Sequence, residues 1–287
     1  MKKFLGRRVK NLEAPMKNRA LKWLAGAVVL VLAIPFGASA NCADPNGILN
    51  ATYGWQLEAL SNPQGSPGVN AQDYAPLLAV GYFTFDGNGS FTGAHDTNWA
   101  GRWIPHTDFG TYNVNSDCQT GTISRTSGIG FTMNIVILGG GKEIRFVGAD
   151  ANVAYGTARL MAATPCSTAP VAGQSYAFAT RGLIGSGAAD SFPRASGFVP
   201  FADAGYLSFH ADGTASGIED LNLGGMFLPG QPVNGTYTVN PDCTGTVNMT
   251  IHGAGHSWNF VILQGAEHVF FIDTSSGSVW AGTLSAM

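Results

Sequence analysis

The chain has 287 residues, a formal net charge of −3 and only 11% charged residues, with 39 glycines and four cysteines. The first 40 residues hold eight bases and one acid, so the remainder has seven bases against 17 acids and a net charge of −10. Such an acidic surface repels nucleic acid and anionic lipid, so we expect partners of neither kind. Abundant glycine and few helix-favouring stretches after residue 41 predict an all-β protein.

The first forty residues have the three parts of a secretory signal peptide. Lys17, Arg19 and Lys22 precede an apolar run at 23–36, and Ala38-Ser39-Ala40 has the small-x-small form that signal peptidase accepts. The apolar run is shorter than the roughly 20 residues of a transmembrane helix. We therefore predict a cleaved signal peptide over 1–40, no stable membrane insertion after cleavage, and a periplasmic or extracellular protein. A retained N-terminal anchor is the alternative.

An internal repeat divides the rest of the chain. Gly110–Thr122 reads Gly-Thr-Tyr-Asn-Val-Asn-Ser-Asp-Cys-Gln-Thr-Gly-Thr, and Gly235–Thr246 reads Gly-Thr-Tyr-Thr-Val-Asn-Pro-Asp-Cys-Thr-Gly-Thr. Other matching positions are separated by nearly the same number of residues as Cys118 and Cys243. This repeat period is too long for a solenoid unit. We predict two tandem domains, 42–162 and 166–287, joined by a short linker.

The first repeat contains eight strand-like runs, several of which alternate apolar and polar residues in the manner of a strand with two unlike faces. The runs are Leu49–Leu60, Ala79–Phe85, Ser90–His95, Gly110–Asn115, Gly121–Thr126, Phe131–Leu138, Glu143–Gly148 and Val153–Leu160. Short turns between them imply antiparallel neighbours. Eight such strands commonly close as a barrel, because closure removes exposed edges. The predicted fold is two tandem eight-stranded antiparallel up-and-down β-barrels.

The barrel topology selects one of the three pairings that four cysteines allow. Alternate connections of an up-and-down barrel lie at opposite ends, so Cys42 before strand one and Cys118 in the four–five turn share an end. Cys166 and Cys243 hold the same places in the second repeat. We predict disulfides Cys42–Cys118 and Cys166–Cys243, which require an oxidising compartment and agree with export.

The other end of each predicted barrel carries long connections, which are more often functional than idle. These connections are Ser61–Leu78, Asn98–Phe109, Gly185–Ala204 and Leu221–Asn234. We expect them to form a ligand-binding mouth through their large apolar side chains. The predicted contact residues are Trp99, Trp103, Met226 and Phe227. The alternative is that these loops plug the barrel or form the domain contact.

The repeated motif also carries a resemblance to a known family. The pattern Gly-x-Tyr-x-Val-Asn-x-Asp-Cys-x-Gly-Thr, with later runs such as Asn259-Phe-Val-Ile-Leu263 and Val279-Trp-Ala-Gly-Thr283, resembles exported bacterial allene oxide cyclase-like barrels of the calycin superfamily. The resemblance covers nearly all of each repeat and implies a lipocalin-like barrel with an apolar lumen. The matching residues are scaffold positions, and no stretch allows the catalytic residues of the plant cyclase to be assigned to positions in this sequence, so we predict no catalytic residue.

His252 and His256 flank a glycine turn that the topology places at the mouth of the second barrel. Imidazole suits zinc or copper, and a metal hypothesis would take Glu219 or Asp220 of the neighbouring loop as a further ligand. A structural zinc site takes four defined ligands, however, and only the two histidines are identified. We therefore expect surface histidines, no metal and no cofactor, with this pair as the metal candidates.

Asn134 and Asn259 occupy the one shared polar position inside an apolar strand run. The amide either faces the lumen and touches a ligand or bonds across strands near a barrel end, as buried amides usually find partners. Glu143 and Arg145 share a face of strand seven, where we expect a surface ion cluster. Ionisable residues do not recur as a set between the repeats.

These observations favour an exported two-barrel protein that binds a small apolar molecule without catalysis. A barrel enzyme of cyclase or isomerase type is the first alternative, and it predicts an ionisable lumen residue with a strongly shifted pKa. A structural or surface-interaction protein is the second alternative. It predicts a domain interface or an exposed apolar patch built from the same loops.

Overall fold

The computed structural model describes residues 42–61, 75–128, 130–150, 153–167, 170–185, 198–251 and 253–287. The predicted signal peptide and its cleavage site lie outside the described residues, as do most of connections 61–78 and 185–204. Short 3-10 helices occur at Asn46–Ile48 and Gln264–Ala266. None of the described helices is long and apolar enough to cross a membrane.

Eight antiparallel strands close the first barrel in chain order. They are β1 (Thr52–Ser61), β2 (Ala75–Phe85), β3 (Ser90–Trp99), β4 (Arg102–Val114), β5 (Thr120–Arg125), β6 (Phe131–Leu138), β7 (Glu143–Gly148) and β8 (Val153–Leu160). β1 pairs with both β2 and β8, so Tyr53 faces Phe83 on one side and Leu160 on the other. The bounds of β6, β7 and β8 are those predicted from the sequence.

The second repeat forms a barrel of the same kind. Its strands are β9 (Ser175–Gly185), β10 (Phe198–Phe209), β11 (Thr214–Leu223), β12 (Met226–Val239), β13 (Thr244–Ile251), β14 (Ala254–Ile262), β15 (His268–Asp273) and β16 (Ser278–Ala286). β9 pairs with β10 and β16, which closes the barrel. The prediction of an all-β fold with two tandem eight-stranded barrels is confirmed.

Both predicted disulfides are present and mark one end of each barrel. Cys42 joins Cys118 and Cys166 joins Cys243, with Cα–Cα distances of 5.9 and 5.0 Å. In the first motif, Asp117 Oδ1 accepts hydrogen bonds from the backbone N–H groups of Gln119 and Thr120. The Asp-Cys motif is therefore a turn that positions a cysteine. The disulfides indicate an exported protein, since such bonds persist in oxidising compartments. The opposite end of each barrel is called the distal end below.

The predicted loops Asn98–Phe109 and Leu221–Asn234 are not loops, which corrects the sequence interpretation. β3 and β4 extend to a two-residue turn at Ala100-Gly101, and β11 and β12 extend to a turn at Gly224-Gly225. Along β4 the inward positions His106 and Asp108 are polar, whereas the outward Phe109 is apolar and 55% exposed. The sequence pattern did not predict this part of the strand, because a strand is recognised by alternating apolar residues on its inner face.

Aromatic rings fill the disulfide half of each barrel. In the first, Phe85 packs edge-on against Tyr53 and Tyr112, and all three are buried. Inward glycines make room for such rings, since a Cβ on Gly156 would lie 2.3 Å from the Phe146 ring. An eight-stranded barrel is narrow enough for side chains to fill it. The disulfide half is thus a packed core.

The two barrels pack side by side within one compact unit, Asn41–Met287. Val80 and Met161 of the first barrel belong to the buried apolar core of the second, and Met161 forms a β-bridge with Leu263. At the distal end, Gly277 N donates to Gly101 O at 3.0 Å, so the distal ends of both barrels adjoin. Whether 42–162 and 166–287 fold as separate domains stays a prediction.

Candidate functional site

The predicted mouth residues lie at the distal ends of two different barrels, Trp99 and Trp103 in the first and Met226 and Phe227 in the second. Trp103 is 44% exposed, and its indole N–H donates to Asp96 Oδ1 at 2.7 Å. Met226 and Phe227 are 55% and 60% exposed beside the Gly224-Gly225 turn, while Trp99 is half-buried at the end of β3. Their role as ligand contacts stays a prediction.

Asn134 and Asn259 lie on the outer faces of β6 and β14. Asn134 is exposed between the buried Met133 and Ile135. Asn259 is half-buried, and its Nδ2 donates to Asp96 Oδ2 of the first barrel at 2.7 Å. This position therefore holds the barrels together in the second repeat and faces solvent in the first.

Of the two candidate metal-binding histidines, His252 lies outside the described residues. His256 is on the inner face of β14, in line with the buried Trp258 and Phe260. Within the described part of the chain, no group of three or more His, Cys, Asp or Glu side chains is placed to hold a metal ion. Glu143 forms ion pairs with Arg145 and Arg159, as expected for a surface cluster.

The distal half of the first barrel contains a buried polar network that sequence reasoning missed. His95 on β3 is 7% exposed, and its Nδ1 lies 2.6 Å from Asp108 Oδ2 on β4. Arg125, at the end of β5, places Nε 2.8 Å from Asp108 Oδ1 as an ion pair rather than an aligned hydrogen bond. The same Nε donates to Ser127 Oγ at 3.1 Å. Asp108, at 3% exposure, thus joins a histidine to an arginine.

Aromatic rings border this network. The His95 ring stacks on His106 at 4.6 Å and tilts against Trp55 at 5.2 Å. Trp55 is 2% exposed, and its indole N–H has no hydrogen-bond partner among the described residues. Burial, followed by the charges of His95 and Arg125, lowers the pKa of His106. Burial also lowers the pKa of Arg125, although Asp108 opposes this.

The network places hydrogen-bond donors beside a balanced ion pair. Arg125 and Asp108 carry opposite charges, and each neutral imidazole has one N–H donor and one acceptor nitrogen. Because Asp108 holds Nδ1 of His95, the Nε2 atom remains as the ring nitrogen for a ligand or a proton. A cleft of about 290 Å³ between the barrels is lined in part by His95, His106, Asp242 and Asn259.

The second barrel has a different polar cluster in its distal half. Asp203, Glu219 and Asp273 are 6%, 2% and 0% exposed. Thr180 donates its hydroxyl to Asp203, and both Ser278 and Trp280 donate to Asp273 Oδ2. The side chain of His256 is 19% exposed, with Nδ1 at 3.7 Å from Asp273 Oδ2. This lumen is acidic.

Burial has a strong effect on these carboxyl groups. Burial first, and then the charge of Asp203, raises the pKa of Glu219 to about 7, against a lowering influence of His256. Burial likewise raises the pKa of Asp203, opposed by the Thr180 hydroxyl and by His256. Glu219 Oε2 has no hydrogen-bond partner among the described residues. Glu219 therefore exchanges its proton near neutral pH.

The strand register shows that the two lumens diverged. His95 faces Gly81 across β2, and Glu219 faces Gly205 at the same place in the second barrel. The equivalents of Asp108 and Arg125 are Val233 and Met249, which face Gly217 and Gly235. The ionisable residues at equivalent positions differ between the repeats. Searching for residues shared by the two copies therefore finds neither cluster.

Comparisons with known proteins identify no family. No family model matches the chain, and no curated protein matches it. Among solved structures, the chain is similar to the isotype 1 transferrin binding protein B from serogroup B Neisseria meningitidis, with 8% identity, a TM-score of 0.26, and 83% of this chain and 76% of that chain covered. It is similar to CghA with 10% identity, a TM-score of 0.26 and coverage of 83% and 88%.

A double mutant of transferrin binding protein B from Haemophilus parasuis Hp5 is also similar, with 7% identity, a TM-score of 0.28 and coverage of 82% and 75%. TM-scores this low do not establish a shared fold. The fold therefore rests on the strand pairing described above, and the resemblance to allene oxide cyclase-like barrels stays a prediction.

Proposed function

We propose that this protein is an exported, non-catalytic binding protein that takes a small, mostly apolar molecule with an acidic head group into the distal half of its first barrel. The periplasm or the extracellular medium is its proposed location. The observation that carries the proposal is the His95–Asp108–Arg125 network, buried among aromatic rings. Ligand sites of this kind combine apolar walls with a few placed polar groups.

The polar groups of this network have donors to offer. Arg125 uses its Nε atom for Asp108 and Ser127, so the rest of its guanidinium fork can meet a carboxylate. Trp55 adds an indole N–H without a partner among the described residues. A carboxylate on an alkyl body would satisfy these donors while the body contacts the rings.

Decanoate and its neutral counterpart decanol test this proposal. We expect decanoate to bind the full-length protein more tightly than decanol in isothermal titration calorimetry, because only the carboxylate gains charge-assisted hydrogen bonds. The double variant Asp108→Val, Arg125→Met places at these two positions the residues that the second barrel has there. It should weaken decanoate binding about tenfold or more. The exposed Arg145→Met is the matched control. Equal affinities of the parent and the double variant for decanoate, or no binding of decanoate, would overturn the proposal.

A second candidate function is a proton-transfer enzyme of isomerase or cyclase type. It is favoured by Glu219, whose pKa of about 7 suits a general acid or base at neutral pH. The test is deuterium incorporation from D₂O into an enolisable cyclic ketone such as cyclopentanone, followed by NMR. Acceleration by the parent that Glu219→Gln abolishes supports this candidate, and equal rates in both proteins and in buffer reject it.

A further inference from the structure

The second barrel has an interior whose charge is unbalanced. It buries three carboxyl groups, Asp203, Glu219 and Asp273. In the described part of this barrel Arg181 is the one arginine or lysine, and it lies on the outer surface, paired with Glu58 of the first barrel at 3.0 Å. Buried carboxylates without a cation are costly, since desolvation disfavours the charged form. Among the described residues, His256 brings a basic group near these carboxyl groups, with Nδ1 at 3.7 Å from Asp273 Oδ2.

Some buried polar atoms in this lumen have no hydrogen-bond partner among the described residues. Asp273 is satisfied, because Ser278 and Trp280 donate to Oδ2 and the backbone N–H of Ser275 donates to Oδ1. Glu219 is different, since its Oε2 has no partner among the described residues although the residue is 98% buried. Trp258, at 1% exposure, likewise has an indole N–H without a partner there. An unpaired buried acceptor is costly, so it points to a donor that the described residues do not supply.

Aromatic rings surround these groups. Trp258 stacks on Phe271 at 4.4 Å and meets Trp280 edge-on at 4.9 Å. Trp280 meets Phe201 edge-on at 5.3 Å and His256 at 6.1 Å. Rings of this kind attract cations through their negative faces, and the attraction is strongest for Trp. Carboxylates and indole rings together favour an organic cation with an apolar body.

A metal ion fits this lumen less well than an amine does. No group of three or more ligand side chains among the described residues is placed to hold a metal ion. An ammonium group needs no fixed coordination polyhedron and can donate to carboxylate oxygens one at a time. Glu219 Oε2 and Asp203 offer acceptors on adjacent strands, because Glu219 pairs with Gly205, two residues from Asp203.

We propose that the distal half of the second barrel is a binding site for a protonated amine with an aromatic or alkyl body. Glu219 and Asp203 accept hydrogen bonds from the ammonium group, and Trp258 and Trp280 contact the body and the charge. His256 lies at the entrance, because its side chain is 19% exposed. The site is distinct from the network of the first barrel, in which Arg125 balances Asp108, so the duplicated scaffold carries two selectivities.

Binding of 2-phenylethylamine to the full-length protein tests the proposal, with neutral 2-phenylethanol as the matched probe. In isothermal titration calorimetry at pH 8 we expect one amine bound per chain with a Kd of about 1 mM or lower, and binding of the alcohol weaker by about tenfold or more. Glu219→Gln keeps the shape of the side chain and should weaken amine binding about tenfold or more. Glu267→Gln, on the exposed surface, is the control and should bind as the parent does.

The outcomes separate this proposal from the proposed function. Equal binding of amine and alcohol, no binding of the amine, or unchanged amine binding by Glu219→Gln would each overturn it. Decanoate binding concerns the first barrel, so its failure leaves the amine result unaffected, and the reverse also holds. Circular dichroism of Glu219→Gln checks that the barrel is folded. If this variant is unfolded, Asp203→Asn replaces it with the same expected loss of amine affinity.

Discussion

At the scale of single residues, some buried polar side chains join the barrels and others line a lumen. Asn98 is completely buried, and its Nδ2 donates to the carbonyl oxygens of Asp273 at 2.8 Å and Ser278 at 2.6 Å. Its Oδ1 accepts from Gly101 N at 3.1 Å. All of these partners are backbone atoms, which indicates a structural role for this amide.

Replacing Asn98 with alanine should therefore destabilise the protein strongly. The change removes three buried hydrogen bonds, so we expect a loss of about 2–4 kcal/mol in the free energy of unfolding. Urea denaturation followed by fluorescence measures it. The exposed Asn134→Ala should change stability by less than about 0.5 kcal/mol. A loss of that small size for Asn98→Ala as well would contradict the assigned contacts.

Glu219 makes stability depend on pH. Its pKa rises from 4.5 in a free side chain to about 7 in the folded protein, so the folded state holds the proton more tightly than the unfolded state does. The unfolded chain ionises first, and stability is therefore lost as pH rises from about 4.5 to about 7, by about 3 kcal/mol in total. Glu219→Gln lacks this slope.

We expect Glu219→Gln to match the parent near pH 4.5 and to exceed it in stability above pH 7. Urea titrations at a series of pH values measure the difference, and the exposed Glu267→Gln serves as the control. A difference that is constant across this range would show that Glu219 has no raised pKa in the folded protein.

At the scale of elements, the β3–β4 and β11–β12 hairpins are equivalent in the repeat but have different surroundings. Gly101 in the first turn has φ +83°, and a Cβ there would lie 2.9 Å from Gly277 Cα of the second barrel. Gly225 in the second turn has φ +92°, and a Cβ there would meet nothing within 4 Å. The first hairpin contributes to the barrel interface, whereas the second projects into solvent with Met226 and Phe227.

This difference predicts unequal effects of the same substitution. Gly225→Ala should lower the free energy of unfolding by about 1–2 kcal/mol, because a residue with a side chain disfavours positive φ. Gly101→Ala has the same backbone cost and forces the turn away from Gly277, so we expect a further loss of about 1–3 kcal/mol. Chemical denaturation of both variants measures the two losses. Equal losses would mean that the turn does not contact the second barrel.

At the scale of the whole molecule, the barrels depend on each other through β2, β14 and β15. Val80 on β2 is 3% exposed and packs into the core of the second barrel. β15 is buried on both faces, since Phe271 faces the lumen and Phe270 lies on the opposite face. We therefore expect the parent protein to unfold in one cooperative transition rather than in two.

The disulfides should contribute equally to that stability. They close loops with sequence separations of 76 and 77, so each should contribute about 4 kcal/mol in the chain-entropy model. Replacing Cys42 and Cys118 with alanine, or Cys166 and Cys243, should give similar losses in denaturation without reductant. A loss confined to one pair, or two separate transitions in the parent, would contradict this account.

The sequence alone determined the architecture of this protein. The Asp-Cys motif and its repeat predicted the duplication, the strand count and both disulfide pairings, because turn chemistry and strand alternation are local properties. The bounds of Phe131–Leu138 were predicted without error for the same reason, since its inner positions are apolar. The signal peptide at 1–40 stays a prediction outside the described residues.

Only the tertiary structure decided where the polar chemistry lies. His95, Asp108 and Arg125 come from three strands and meet because the closed sheet turns their inward faces toward one another. The sequence suggested Glu219 only as a further metal ligand, and its pKa is set by burial, which the local sequence does not encode. The first half of β4 was not recognised as a strand, because its inner residues are polar. A search for alternating apolar residues does not find a lumen that holds charged side chains.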